Sequence, residues 1–174
     1  AMEPVWKSVI AAAAAAGEGA GEGGKMVIKQ YLDAILEDLL KAAGSRKWRE
    51  RQAAVAGLAS LLPGRTFKEI MGESEGAGEG GGRLEKMWVT GFRAVDDLKE
   101  SVQMAGMALA KSLMQLTGRL TNRGEAPGEE VKGGGGVVLP LLLTQGLVSK
   151  AKEVQAVAVV MLVRMVKGAR ECLR

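Results

Sequence analysis

Glycine in this chain is gathered rather than spread. Most of its 25 glycines fall in three acidic tracts, "GEGAGEGG" (17–24), "GESEGAGEGGG" (72–82) and "GEAPGEEVKGGGG" (124–136). Such tracts lack apolar periodicity, so they are expected to be flexible, solvated insertions. Any core must therefore be assembled from the blocks between them.

Those blocks are aliphatic. The aromatic residues number six, Trp6, Tyr31, Trp48, Phe67, Trp88 and Phe92. A core of Leu, Val, Met and Ala suits layered helices, whereas strands draw on Thr, Tyr and Phe, which are rare here. The expected class is all-α, and 174 residues suffice for one sizeable core.

Periodicity supports this class. In 26–43 the apolar residues Val27, Ile28, Tyr31, Leu32, Ile35, Leu36, Leu39 and Leu40 make one wide stripe opposite Lys29, Asp33 and Glu37. Gly44 ends that helix. In the next, Ala54, Leu58, Leu61 and Leu62 share a face before Pro63-Gly64 stops it. Two amphipathic helices joined by a short turn form a hairpin that cannot bury both stripes alone. The same pair returns as 83–95 with 96–116, and as 137–149 with 150–169. In each second helix a polar residue precedes small or apolar ones at +3, +7 and +10. From Arg51 these are Ala54, Leu58 and Leu61; from Lys99, Val102, Gly106 and Leu109; from Gln155, Ala158, Leu162 and Met165.

Arg51 to Lys99 is 48 residues, or 37 without the 11 of 72–82; Lys99 to Gln155 is 56, or 43 without the 13 of 124–136. A helical pair every 40–47 residues or so is the HEAT period. Pro140, inside a first helix, is read as the kink such helices tolerate. The expectation is an α-solenoid of about three HEAT-like hairpins with Gly-rich loop insertions. A helix fragment and Gly/Glu-rich linker occupy 1–25, the first hairpin 26–66, the second 67–122 with its insertion at 72–82, a linker 123–136 and the third hairpin 137–174.

Composition excludes much chemistry. The chain has no histidine, which removes Ser-His-Asp and Cys-His catalysis and every His-ligated metal site. Its single cysteine, Cys172, can form no internal disulfide, which points to a reducing compartment. "GAGEGGK" (19–25) has the spacing of a phosphate-cradling loop. Met26, however, stands where Ser or Thr should hold magnesium, Glu22 would sit among phosphates, and the preceding alanines make a poor strand. It reads as a linker, and a nucleotide-binding enzyme is only a distant alternative. No catalytic, cofactor or metal residue is expected. No stretch reaches about 18 uninterrupted apolar residues, and "MEPVWKSVIAAAAAAGEG" reads as a helix fragment rather than a secretory signal. A cytoplasmic chain is expected.

The basic cluster Arg46, Lys47, Arg49 and Arg51 heads a second helix, as Asp96, Asp97 and Lys99 do in the following hairpin. Structural pairing is the leading reading, with Arg51 or Lys99 meeting an adjacent Asp. The same four residues are the candidate protein-binding group, because second helices line the inner surface of a solenoid. Nucleic acid is not an expected partner: the formal charge is only +4 and no second basic stripe tracks a backbone.

Three segments carry a resemblance. "KWRERQAAVAGLASLLPGR" (47–65), "LEKMWVTGFRAVDDLKESVQMAGMALAKSL" (84–113) and "VVLPLLLTQGLVSKAKEVQAVAVVMLVRMVKGA" (137–169) are similar, in order and helical phase, to segments of the HEAT-repeat proteasome adaptor and scaffold family. "VDDLKES" (95–101) is the most specific piece, and Gln155 departs from the family's arginine. The resemblance implies a non-enzymatic scaffold that clamps the proteasome core particle to its regulatory particle and takes part in quality control. It also implies proteasome subunits and neighbouring HEAT repeats as partners, and cytoplasmic, nuclear and endosome-associated placement. HEAT scaffolds for other clients, of phosphatase-subunit or nuclear-transport type, are the alternative.

Overall fold

The computed structural model describes residues 22–65, 70, 80–122 and 134–172. Residues 1–21 of the expected helix fragment and linker (1–25), and most of the second and third glycine tracts, lie outside them. The chain divides into two compact units, Ala1–Asp38 and Leu39–Arg174. All regular structure among the described residues is helical.

Helix α1, Glu22–Ala42, holds all of the first unit's described residues. Of its expected stripe, Leu32 and Leu36 are buried and Ile35 is half-buried. Tyr31, placed on the same stripe by periodicity, is instead exposed. Residues 22–25 form the first turn of this helix rather than part of a linker, so Lys25 rides on a helix.

The second unit contains α2 (Trp48–Leu61), α3 (Gly80–Val95), α4 (Glu100–Asn122), α5 (Gly134–Leu141) and α6 (Lys152–Cys172). Helix α4 packs against α3 within its hairpin and against α2 and α6 to either side, while α3 packs against α5. Second helices therefore meet second helices and first helices meet first helices. That is the stacking of a HEAT-like α-solenoid.

The core is aliphatic, as composition requires. Leu58, Leu62, Leu84, Met87, Leu109, Leu113, Leu142 and Met161 are fully buried, with Trp88 and Phe92 as its aromatic pair, 5.6 Å apart. Helices α3 and α5 both begin inside glycine tracts, at Gly80 and Gly134. Glycine's cost of about 1 kcal/mol applies to helix interiors, and a first turn already lacks intrahelical partners for its amides.

Two glycines are required by close approach. A Cβ on Gly106 would sit 2.7 Å from the backbone of Ala94 and Val95, where α4 crosses the end of α3. A Cβ on Gly146 would sit 2.6 Å from that of Ala158 on α6. Gly146 reaches that position because Pro140 interrupts α5. Proline supplies no amide and crowds the preceding turn, and the chain widens into a π turn over Leu142–Gly146. Leu147 then donates to the carbonyl of Leu142 at 2.9 Å, and the Thr144 hydroxyl donates to the Pro140 carbonyl at 2.8 Å. The irregularity that follows Pro140 is this turn.

The repeat register differs from the sequence reading at one place. Helix α4 starts at Glu100, so Lys99 and Leu98 lie in the turn before it, and Leu98 is 99% exposed. Leu162 and Met165 are half-buried, and Met161 occupies the core position in α6.

Candidate functional site: the basic cluster and the repeated turn

The turn that launches each second helix is built the same way three times. The side chain of Ser45 accepts from the amide of Lys47, that of Asp97 from Lys99 and that of Ser149 from Ala151, at 3.0–3.2 Å. Six residues after each, a long polar side chain folds back onto the turn's carbonyl. Arg51 donates to Ser45 O at 3.0 Å, Gln103 to Asp97 O at 2.7 Å and Gln155 to Ser149 O at 2.8 Å. Helices α2, α4 and α6 begin at Trp48, Glu100 and Lys152. All three sets are spaced by 52 residues. The equivalents are therefore Arg51, Gln103 and Gln155, and Lys99 is displaced from that place. Without the two insertions the spacings become 41 and 39, evener than the 37 and 43 obtained through Lys99.

Arg51 makes a contact that joins two hairpins. Its Nε donates to Asp97 Oδ2 at 2.7 Å and its Nη2 to Asp97 Oδ1 at 3.0 Å. Its Nη1 donates to the carbonyls of Ser45 and Arg46. A planar guanidinium matches a carboxylate in this two-pronged way, and lysine cannot. The side chains of Arg51 and Asp97 are only 22% and 10% exposed, so the pair is largely shielded. The Arg51 guanidinium, helped by the Lys99 amide, holds the Asp97 carboxyl below the usual carboxylate range despite partial burial. The pairing expected for Arg51 is thus present, with Asp97 as the partner.

The other members of the cluster face outward. Lys47 Nζ lies 2.9 Å from Glu50 Oε1, and the Ser45 hydroxyl donates to the other Glu50 oxygen. The hydrogen bond from Ser45, then that from Lys47, lowers the Glu50 pKa. Arg49 stacks over the Trp48 ring at 5.1 Å, a cation–π contact at the surface. Arg46 is exposed. The structure thus separates Arg51, bound into the fold, from Arg46, Lys47 and Arg49, available at its edge. Sequence reasoning overlooked Ser45, Gln103 and Ser149. Their signal was present as a hydroxyl or carboxylate at 45, 97 and 149, each followed at the sixth residue by Arg or Gln.

A hollow beside the pair, walled by Arg51, Val55, Asp97 and Val102, holds about 90 Å³. Small-molecule sites need roughly 300 Å³ or more. No helix among the described residues is long and apolar enough to cross a membrane. What this region offers chemically is a surface of fixed cations on a rigid helix start.

Curated relatives were found. The human "Proteasome adapter and scaffold protein ECM29" is 32% identical over 155 residues, 86% of this chain and 8% of its own length. "Proteasome component ecm29" of Schizosaccharomyces pombe is 32% identical over 145 residues, 80% of this chain. "Proteasome component ECM29" of Saccharomyces cerevisiae is 29% identical over 150 residues, 82% of this chain. The chain spans about 8% of the length of these proteins. No family model and no solved structure matches it. Relatives from human and two yeasts, each aligned across at least 80% of these residues and each named for the proteasome, agree with the segments at 47–169, and the chain belongs to the proteasome adaptor and scaffold family.

Proposed function

We propose that this chain serves as a non-enzymatic, protein-binding part of a proteasome scaffold. In this reading it helps hold the core particle to the regulatory particle and contributes to proteasome quality control. The observation that carries the reading is the alignment of 86% of the chain with a protein named as a proteasome adapter and scaffold. A stack of hairpins fixed by Arg51–Asp97 adds physical support, because such a stack presents a rigid surface without requiring a cavity. The contact group is Arg46, Lys47 and Arg49, with Arg51 setting their orientation from within the turn. Further helical hairpins serve as neighbours, nucleic acid is not a target, and the setting is cytoplasmic and nuclear, with endosomes as a further site.

The test is affinity capture of the endogenous protein containing this sequence, followed by mass spectrometry. Proteasome subunits are expected to accompany it. Charge reversal at Arg46, Lys47 and Arg49 together should reduce their recovery several-fold while leaving the helical signal intact. Recovery of phosphatase or transport-carrier subunits instead of proteasome subunits would overturn the reading.

A further inference from the structure

The 52-residue register allows the two contacts between successive second helices to be compared position by position. Between α2 and α4 the contact is closed. Val55 and Leu62 are 1% and 2% exposed, and the Ser112 hydroxyl donates to the Ala59 carbonyl at 3.0 Å. Only a small side chain at 112, facing another at 59, lets the helices approach so closely.

Between α4 and α6 every one of these positions changes. Val55 becomes Met107, 48% exposed, and Leu62 becomes Met114, half-buried. Ala108, itself exposed, becomes Val160, 48% exposed, so a larger apolar side chain stands at the surface there. Ala59 becomes Lys111 and Ser112 becomes Arg164, both exposed. An arginine thus replaces the hydroxyl, and a lysine replaces the small side chain opposite it. Neither has an acidic partner among the described residues. Met107, Met114 and Val160 thus leave apolar surface uncovered on α4 and α6, with the exposed cations Lys111 and Arg164 on the same two helices. Methionine is the side chain best able to remould around an incoming apolar surface.

We propose that the surface of α4 and α6 that carries Met107, Met114 and Val160, together with Lys111 and Arg164, docks an acidic amphipathic helix of a protein partner. The helix's apolar stripe covers Met107, Met114 and Val160, and its carboxylates pair with Lys111 and Arg164. Charge complementarity selects this occupant, since a basic or neutral helix would leave both cations unpaired. The inference deepens the protein-binding reading above and rests on it.

Fluorescence anisotropy tests it with the 174-residue chain and two labelled synthetic helices of about 18 residues, five turns of contact. Both carry the same leucine stripe; one has glutamate elsewhere and the other lysine. The glutamate helix is expected to bind at least about tenfold more tightly. K111E together with R164E should reverse that preference. M107Q together with V160Q should weaken binding of the glutamate helix without reversing the preference, and circular dichroism verifies folding of each variant. Failure of the glutamate helix to bind, equal binding of the two helices, or a preference unaltered by charge reversal would overturn the proposal. Proteasome subunits still captured with the endogenous protein carrying K111E and R164E would show that the scaffold reading survives the loss of this site.

Discussion

The Arg51–Asp97 pair gives single residues a pH-dependent role. Asp97 titrates lower in the folded chain than in the unfolded one, because the guanidinium beside it favours the carboxylate. A depressed carboxyl contributes stability above its unfolded pKa, about 3.9. It loses that contribution as pH falls through the lower folded value. Stability should therefore decline on acidification below about pH 4 partly through this group. Asp97→Asn should lower the urea midpoint at neutral pH and flatten the decline between pH 5 and 3, measured by circular dichroism. Asp97→Asn is the sharper probe, because Arg51→Lys keeps a charge that still attracts the carboxylate while losing the two-pronged geometry.

At the scale of helices, the hairpins depend on small residues where second helices cross their neighbours. Ala54, Gly106 and Ala158 occupy one place in the 52-residue register. Gly106 is the extreme case, with the backbone of Ala94 and Val95 within 2.7 Å of where a Cβ would stand. Backbone cannot yield as a side-chain tip can, so Gly106→Ala should destabilise by about 1–3 kcal/mol despite alanine's better helix propensity, measured by urea denaturation. The same element scale shows what sequence could reveal. The helices were legible because Leu84, Met87 and Trp88, or Leu109 and Leu113, recur at helical spacing and are fully buried. The phase of the second hairpin was not legible. Lys99 imitates Arg51 in charge, while its true counterpart, Gln103, is neutral; turn hydrogen bonds, rather than composition, settle the matter. Tyr31 and Leu98 were likewise assigned by hydrophobicity, which cannot tell a buried stripe from an exposed flank. Pairing for Arg51 was foreseeable, whereas the separation of Arg51 from Arg46 and Arg49 needed coordinates.

For the molecule as a whole, α6 presents a face homologous to one that α2 buries. Val55, Leu58 and Leu62 are covered on α2, but their counterparts on α6 are Val159 and Val166, exposed, and Leu162, half-buried. An uncovered apolar stripe of this kind favours association. The isolated chain should therefore self-associate as its concentration rises. Val159→Glu with Val166→Glu should shift it towards the monomer without lowering the melting temperature, as read by sedimentation velocity and thermal scans. Unchanged association in that variant would assign the contact to another surface.

The threefold turn makes the hairpins interchangeable parts. Excising 97–148 would join Asp96 to Ser149, and the new junction would still offer an oxygen acceptor at the turn with a folded-back amide six residues later. The ionic clasp would not survive, since Arg51 would face a hydroxyl instead of a carboxylate. Lengthening or shortening such an array by whole units can thus preserve its architecture while changing which joints are held by charge.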